Sequence, residues 1–157
     1  MLTKIVSGGQ TGVDRGALDA ALEARFPCGG WCPRGRKAED GVIPAHYPLT
    51  EMRVAAYRAR TERNVADSDG TLILFSGEIS GGTRATLRIA EALGKPVLSV
   101  DCNVKPLEAA AVEAAAFVRL NGIEVLNVAG PRESVWPGAR EQARRLVRLL
   151  LQATERT

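Results

Sequence analysis

Short β-rich apolar runs alternate with longer stretches of helical period along this chain. Lys4–Ser7 (KIVS), Thr71–Phe75 (TLILF), Pro96–Val100 (PVLSV) and Ile123–Ala129 (IEVLNVA) read as strands. The middle two are largely apolar runs, as expected of strands covered on both faces. Cys28–Cys32 (CGGWC) reads as a further, weaker strand. Between them, Val13, Ala17, Leu18, Ala21 and Leu22 recur at helical spacing, with Asp19 and Glu23 on the other side. A second helix is predicted from about Gly82 to Leu93, with Ala85, Ile89, Ala92 and Leu93 inward and Gly94 as its stop. An Ala-rich helix follows Pro106 and ends at Asn121-Gly122. A last helix, after Pro137, sets Ala139, Ala143, Leu146, Val147 and Leu150 against Arg140, Arg144, Arg145 and Arg148, read as a solvated basic face. The alternation predicts an α/β fold with a mostly parallel sheet.

Residues 27–50 break the rhythm. A connection this long and rich in Pro and Gly reads as a functional loop or lid. No linker, repeat or low-complexity tract divides the 157 residues, so one domain over 1–157 is expected.

In a parallel sheet the loops that follow strands gather at one carboxyl edge, where open α/β folds bind ligands. Three Gly-containing turns fall there: Gly8-Gly9-Gln10-Thr11-Gly12, Ser80-Gly81-Gly82-Thr83, and Gly130-Pro131-Arg132-Glu133-Ser134. Glycine lets the backbone approach a ligand, and a helix N-terminus offers unpaired N–H groups, so a phosphate suits such a place. Ser7, Thr11, Ser80, Thr83 and Ser134 can add hydroxyl donors, and Arg15, Arg84 or Arg132 charge-assisted bonds. Each turn alone also reads as simple turn geometry or a helix cap. Asp14 either stabilises the dipole of its helix or accepts hydrogen bonds from a ligand. Arg60, Arg63 and Asn64 read equally as solvated charge or as anion contacts. Gly9→Val or Gly82→Val is expected to put a side chain where the phosphate would sit.

The first turn lacks the Lys-Ser/Thr pair of a P-loop, and its G-G-x-x-G spacing is not G-x-G-x-x-G. An ordinary NTPase or NAD dehydrogenase is therefore disfavoured. Trp31 and Tyr47 read as core filling or as a cover for a flat heterocycle. Cys32 reads as an inert thiol or, if a basic neighbour lowers its pKa, a reactive one. With 3 cysteines, 1 histidine and no CxxC spacing, neither a disulfide framework nor a tightly bound metal ion is expected. The net charge of +3 permits anionic partners without demanding nucleic acid. With no long apolar run and no signal-peptide pattern at the N-terminus, the expected place is the cytoplasm.

The segments KIVSGGQTGVDRGALDAAL, GGWCPRGRKAEDGVIPAHYPL, RTERNVADSDGTLILF, SGGT and LNVAGPRES, in this order, resemble the molybdenum-cofactor carrier proteins. These form the circularly permuted branch of the SLOG superfamily of Rossmann-like nucleotide-binding proteins. The resemblance covers nearly the whole chain. It implies a Rossmann-like three-layer sandwich, homo-oligomeric as a dimer or tetramer, with a pocket for a phosphorylated pterin or nucleotide. The molybdenum cofactor (molybdopterin) would then be the cargo. The family's Gly-rich motifs fall on Gly8 to Gly12 and on Ser80 to Thr83. The related LOG phosphoribohydrolases have a motif like P-G-G-x-G-T-x-x-E, and here Thr86 stands where that glutamate would be. Three functions are thus open. The first is a carrier that binds a phosphorylated ligand through Ser7 to Gly12, Asp14, Arg15, Arg63, Asn64, Ser80 to Thr83, Gly130, Arg132 and Ser134. The second is a nucleoside-monophosphate N-glycoside hydrolase using Asp14. The third is a nucleic-acid-binding module, for which aromatics, at 4%, are scarce.

Overall fold

Along the chain, a computed structural model describing residues 1–156 gives β1 Lys4–Val6, α1 Val13–Glu23, β2 Cys28–Gly29, β3 Trp31–Cys32, β4 Lys37–Ala38, β5 Gly41–Val42 and β6 Thr50–Glu51. There follow α2 Tyr57–Ala66, β7 Gly70–Phe75, α3 Gly81–Ala92, β8 Val97–Asp101, α4 Leu107–Leu120, β9 Val125–Ala129 and α5 Ala139–Glu155. Five strands form one all-parallel sheet in the order β2-β1-β9-β7-β8. The last strand in sequence is thereby inserted between β1 and β7, and the turns after β1, β9 and β7 become neighbours at the carboxyl edge.

Helices cover both faces, as an α/β sandwich requires. Leu72, Leu74, Leu126 and Val128 point from the sheet into the main core, where they meet Val13, Ala17 and Ala21 of α1, Ala110, Ala114 and Val118 of α4, and Ala143, Leu146, Val147 and Leu150 of α5. Each fully buried Leu contributes roughly 2 kcal/mol by removal from water. Alanines let α1 approach α5 closely: a Cβ at Gly16 would stand 2.1 Å from the Arg140 carbonyl. The opposite face is thinner, with Val65 of α2, Ile89 and Ala90 of α3, and Val97 packed on it. There Asn127 of β9 is paired in register with Thr71 of β7, and its side-chain amide donates to the Thr71 hydroxyl at 3.3 Å.

Several expectations change. CGGWC is two strands, since Gly30 (φ +134) turns the chain so that β2 joins the main sheet and β3 pairs with β6. The long connection carries β4 and β5 as a small antiparallel pair, and Ile43, Tyr47, Cys32 and Ala38 pack with Leu18 as a core of its own. Ala92 and Leu93 are exposed because α3 lies towards the edge strand β8; Thr83, Thr86, Ile89 and Ala90 face inward. Leu22 is also exposed. The basic face of α5 is only partly solvated: Arg140 binds Asp19 at 2.7 Å and Arg144 binds Glu23 at 3.0 Å, tying α5 to α1.

Candidate functional site

The turns after β1, β7 and β9 meet α2 around a cleft of about 230 Å³. Gly8, Gln10 and Asp14 line it from the first turn, Ser80 to Thr83 from the second, and Gly130, Pro131 and Arg132 from the third. Helix α2 adds Tyr57, Arg60 and Asn64, and Asn127 is contributed by β9.

The first turn is packed tightly against its neighbours. A Cβ at Gly8 would fall 2.3 Å from Arg60 Nη1; its absence lets Arg60 donate to the Gly8 carbonyl at 2.6 Å and stand 3.7 Å from Asp14 Oδ2. A Cβ at Gly12 (φ +81) would lie 2.4 Å from the Pro131 carbonyl, the group that accepts the Val13 N–H at 3.2 Å. The start of α1 is thus capped by the third turn. Gln10 donates its backbone N–H to Asp14 at 3.1 Å. Burial pushes the Asp14 carboxyl up; the Arg60 guanidinium and the Gln10 N–H oppose this.

The Gln10 side chain is held at one end only. Its Oε1 accepts the N–H groups of Thr11 at 3.0 Å and Glu39 at 2.9 Å. Its Nε2 is buried with no hydrogen-bond partner among the described residues. A flipped amide would set its NH2 against two N–H donors, so the orientation is decided by the network.

The second turn is open. Ser80 takes the extended N-cap conformation without a side-chain cap, and the N–H groups of Gly81, Gly82 and Thr83 have no partner among the described residues. A Cβ at Gly81 or Gly82 would meet nothing within 4 Å. These three orphan donors at the helix start carry partial positive charge. Cations gather nearby: Lys37 Nζ lies 4.9 Å, Arg132 5.4 Å and Arg60 5.6 Å from the Tyr57 ring.

The hairpin of β4 and β5 straps the first turn to the third. Glu39 accepts the Ser134 hydroxyl at 2.6 Å and its N–H at 3.2 Å, and also the Thr11 hydroxyl, with Arg132 at 3.8 Å. Desolvation is outweighed by these hydrogen bonds from Ser134 and Thr11, which hold the Glu39 carboxyl below its ordinary range. Asp40 takes a two-pronged bond from Arg15 at 2.5 and 2.8 Å. Such a site can seat an anion at its open helix start and offer a flat ligand an aromatic ring, an amide donor and a carboxylate acceptor.

A model of the circularly permutated YpsA SLOG family matches residues 5–151. The chain belongs to this family. No curated protein matches it significantly. Among solved structures it is similar to the crystal structure of a "Putative molybdenum carrier protein" from Syntrophus aciditrophicus SB. The two are 45% identical, with a TM-score of 0.93, over 96% of this chain and 95% of that one.

In this YpsA-type SLOG chain, the residues expected from sequence divide into two groups. Gly8, Gln10, Asp14, Asn64, Ser80, Gly81, Gly82, Thr83, Gly130 and Arg132 converge on the cleft. Ser7, Gly9, Thr11, Gly12, Arg15, Arg63 and Ser134 do not line it. Ser7 donates to the Val128 carbonyl at 2.9 Å, and Arg15 Nε to the Gly9 carbonyl at 3.1 Å. The Cβ position of Gly9 is filled by Leu49 and Ile43, 2.4 and 3.0 Å away, so a valine there would meet the strap and not the cleft. Arg63 stacks over Trp31 at 4.5 Å and pairs with Asp67 at 2.9 Å. Tyr47 is buried and donates to Asp19 at 2.6 Å, so it covers no ligand. Cys32 is buried with its thiol pushed up by desolvation. Asp69 anchors the start of β9, accepting the N–H of Val125 at 2.8 Å. Thr86, in the place of the LOG glutamate, lines the cleft and donates to the Gly82 carbonyl at 3.0 Å. Arg60, a candidate anion contact from the sequence, also lines the cleft, and Tyr57 and Thr61 join it from the same face of α2, for which their i, i+3, i+4 spacing is the available signal; Glu39 borders the site through the strap without lining the cleft. Among the described residues no group of three or more His, Cys, Asp or Glu is placed to hold a metal ion, and no helix is long and apolar enough to cross a membrane.

Proposed function

We propose that the chain binds a phosphorylated small molecule, a molybdenum-cofactor pterin or a nucleotide derivative, and carries it without turnover. The observation that carries this reading is the uncapped start of α3: its free N–H groups and open glycines face a cleft that also holds a buried, unpaired amide donor. The phosphate would sit on Gly81, Gly82 and Thr83, with Arg60 and Arg132 adding charge. The ring would lie towards Tyr57, Gln10 and Asp14. The solved relative named for molybdenum carriage supports the pterin form of this cargo. For such a cofactor the phosphate and ring would supply the grip, and the metal would be part of the cargo. The reading takes the chain to act in the cytoplasm as a dimer or tetramer, which light scattering measures.

Native mass spectrometry of the chain purified without added ligand, followed by denaturation, tests the proposal. The expected result is a released phosphorylated pterin or nucleotide. A bare mass, together with no binding of added pyrophosphate, would contradict it. One observation favours a second reading, a nucleoside-monophosphate N-glycoside hydrolase: a buried carboxyl, Asp14, lines the cleft with its pKa pushed up. Release of free base from a nucleoside monophosphate, lost in Asp14→Asn, would replace the carrier with the enzyme.

A further inference from the structure

Gln10 Nε2 is a buried donor with no acceptor among the described residues, and its amide cannot turn round because Oε1 holds the N–H groups of Thr11 and Glu39. Leaving such a group unsatisfied is costly, so a filled cleft should bring it an acceptor. Four residues on, Asp14 lines the same cleft. Asp14 Oδ2 already accepts the Gln10 N–H at 3.1 Å and lies 3.7 Å from the Arg60 guanidinium, which opposes the upward push of burial; ionised, the carboxylate only accepts. An amide that must donate beside a carboxylate that accepts when ionised is the complement of a cyclic-amide edge, with a ring carbonyl next to a ring N–H. A 6-aminopurine presents the reverse: an amino donor against the Gln10 donor and a ring nitrogen acceptor against the Asp14 carboxylate.

We propose that Gln10 and Asp14 set the cleft's specificity, selecting phosphorylated ligands whose ring bears a carbonyl beside a ring N–H and rejecting 6-aminopurines. This rests on the phosphorylated-ligand reading of the cleft. Specificity of this kind arises because the wrong partner leaves buried polar groups unpaired.

Titration calorimetry of the full chain with GMP, AMP and pyrophosphate tests it. GMP is expected to bind at least about tenfold more tightly than AMP. Gln10→Glu keeps an oxygen for Thr11 and Glu39 but replaces the donor by an acceptor, so the GMP to AMP ratio should fall to about one or invert. Asp14→Asn is a second variant, expected to weaken GMP more than AMP. Equal affinities for the two nucleotides in the native chain, or a ratio unchanged in both variants, would overturn the proposal and assign Nε2 to a water. Pyrophosphate binding with no binding of either nucleotide would overturn this inference alone. No binding of any of the three would overturn the reading beneath it.

Discussion

The turn at Gly8 to Gly12 and the turn at Ser80 to Thr83 are written in almost the same residues, and each leads from a parallel strand into a helix. In the first, the glycines make room for protein: Arg60 fills the space over Gly8, Leu49 and Ile43 that over Gly9, and the Pro131 carbonyl that over Gly12. The helix start behind it is satisfied by Pro131 and by the Gln10 carbonyl, which accepts the Arg15 N–H. In the second, nothing fills the space over Gly81 and Gly82, and the first N–H groups of α3 are left for an outside partner. A Gly-rich turn is therefore not a phosphate site by composition. What decides is whether the chain itself has already occupied the space and the donors.

The sharpest way to break this comparison is Gly12→Val. The φ of +81 and the Pro131 carbonyl together should cost about 3 to 4 kcal/mol, read in chemical denaturation; a loss below about 1 kcal/mol would mean the first turn is as free as the second. Glu39→Ala removes the carboxylate that joins the strap to Thr11 and Ser134, and about 2 kcal/mol should go with it. The Glu39 carboxyl is held below its ordinary value, so its contribution is present above the unfolded value of 4.5 and is lost as pH falls through the folded one. Acid should therefore loosen the strap in the native chain and leave Glu39→Ala less affected. Gly82→Val should be the converse of Gly12→Val: stability within about 1 kcal/mol, but pyrophosphate affinity down by about tenfold, by calorimetry. The last effect lies at alkaline pH. Burial, then the Asp19 partner, pushes the Tyr47 hydroxyl up from 10.0 to about 12. The unfolded chain loses that proton first, so stability should decline between those two values, and Tyr47→Phe should flatten the decline.

The main sheet was legible because its strands are apolar runs, and α1, α4 and α5 because their apolar residues repeat with helical period. Helix α2 has no such stripe: its buried residues are Arg60, Asn64 and Val65, so its inward face is chemical more than apolar. The strap's strands are two residues each and carry no period at all. Ala92 and Leu93 fit a helical face, but the sheet ends at β8 and leaves them uncovered. The gathering of the three turns could be inferred, since parallel strands send their loops to one edge. The division of tasks among them could not. It depends on Arg60 reaching Gly8 across 52 positions and Glu39 reaching Ser134 across 95. Gln10 is a candidate by its place in the turn, whereas its importance lies in a missing partner that only three dimensions reveal.

The central claim is that an anion is held at the start of α3 and not at the start of α1. Amide nitrogen–proton spectra of the labelled chain, recorded while inorganic phosphate is added, read both places at once. The account predicts saturable shifts at Gly81, Gly82 and Thr83, with Thr11 and Val13 unmoved because Gln10 and Pro131 hold their N–H groups. Shifts centred on Thr11 and Val13, with Gly81 to Thr83 still, would contradict it.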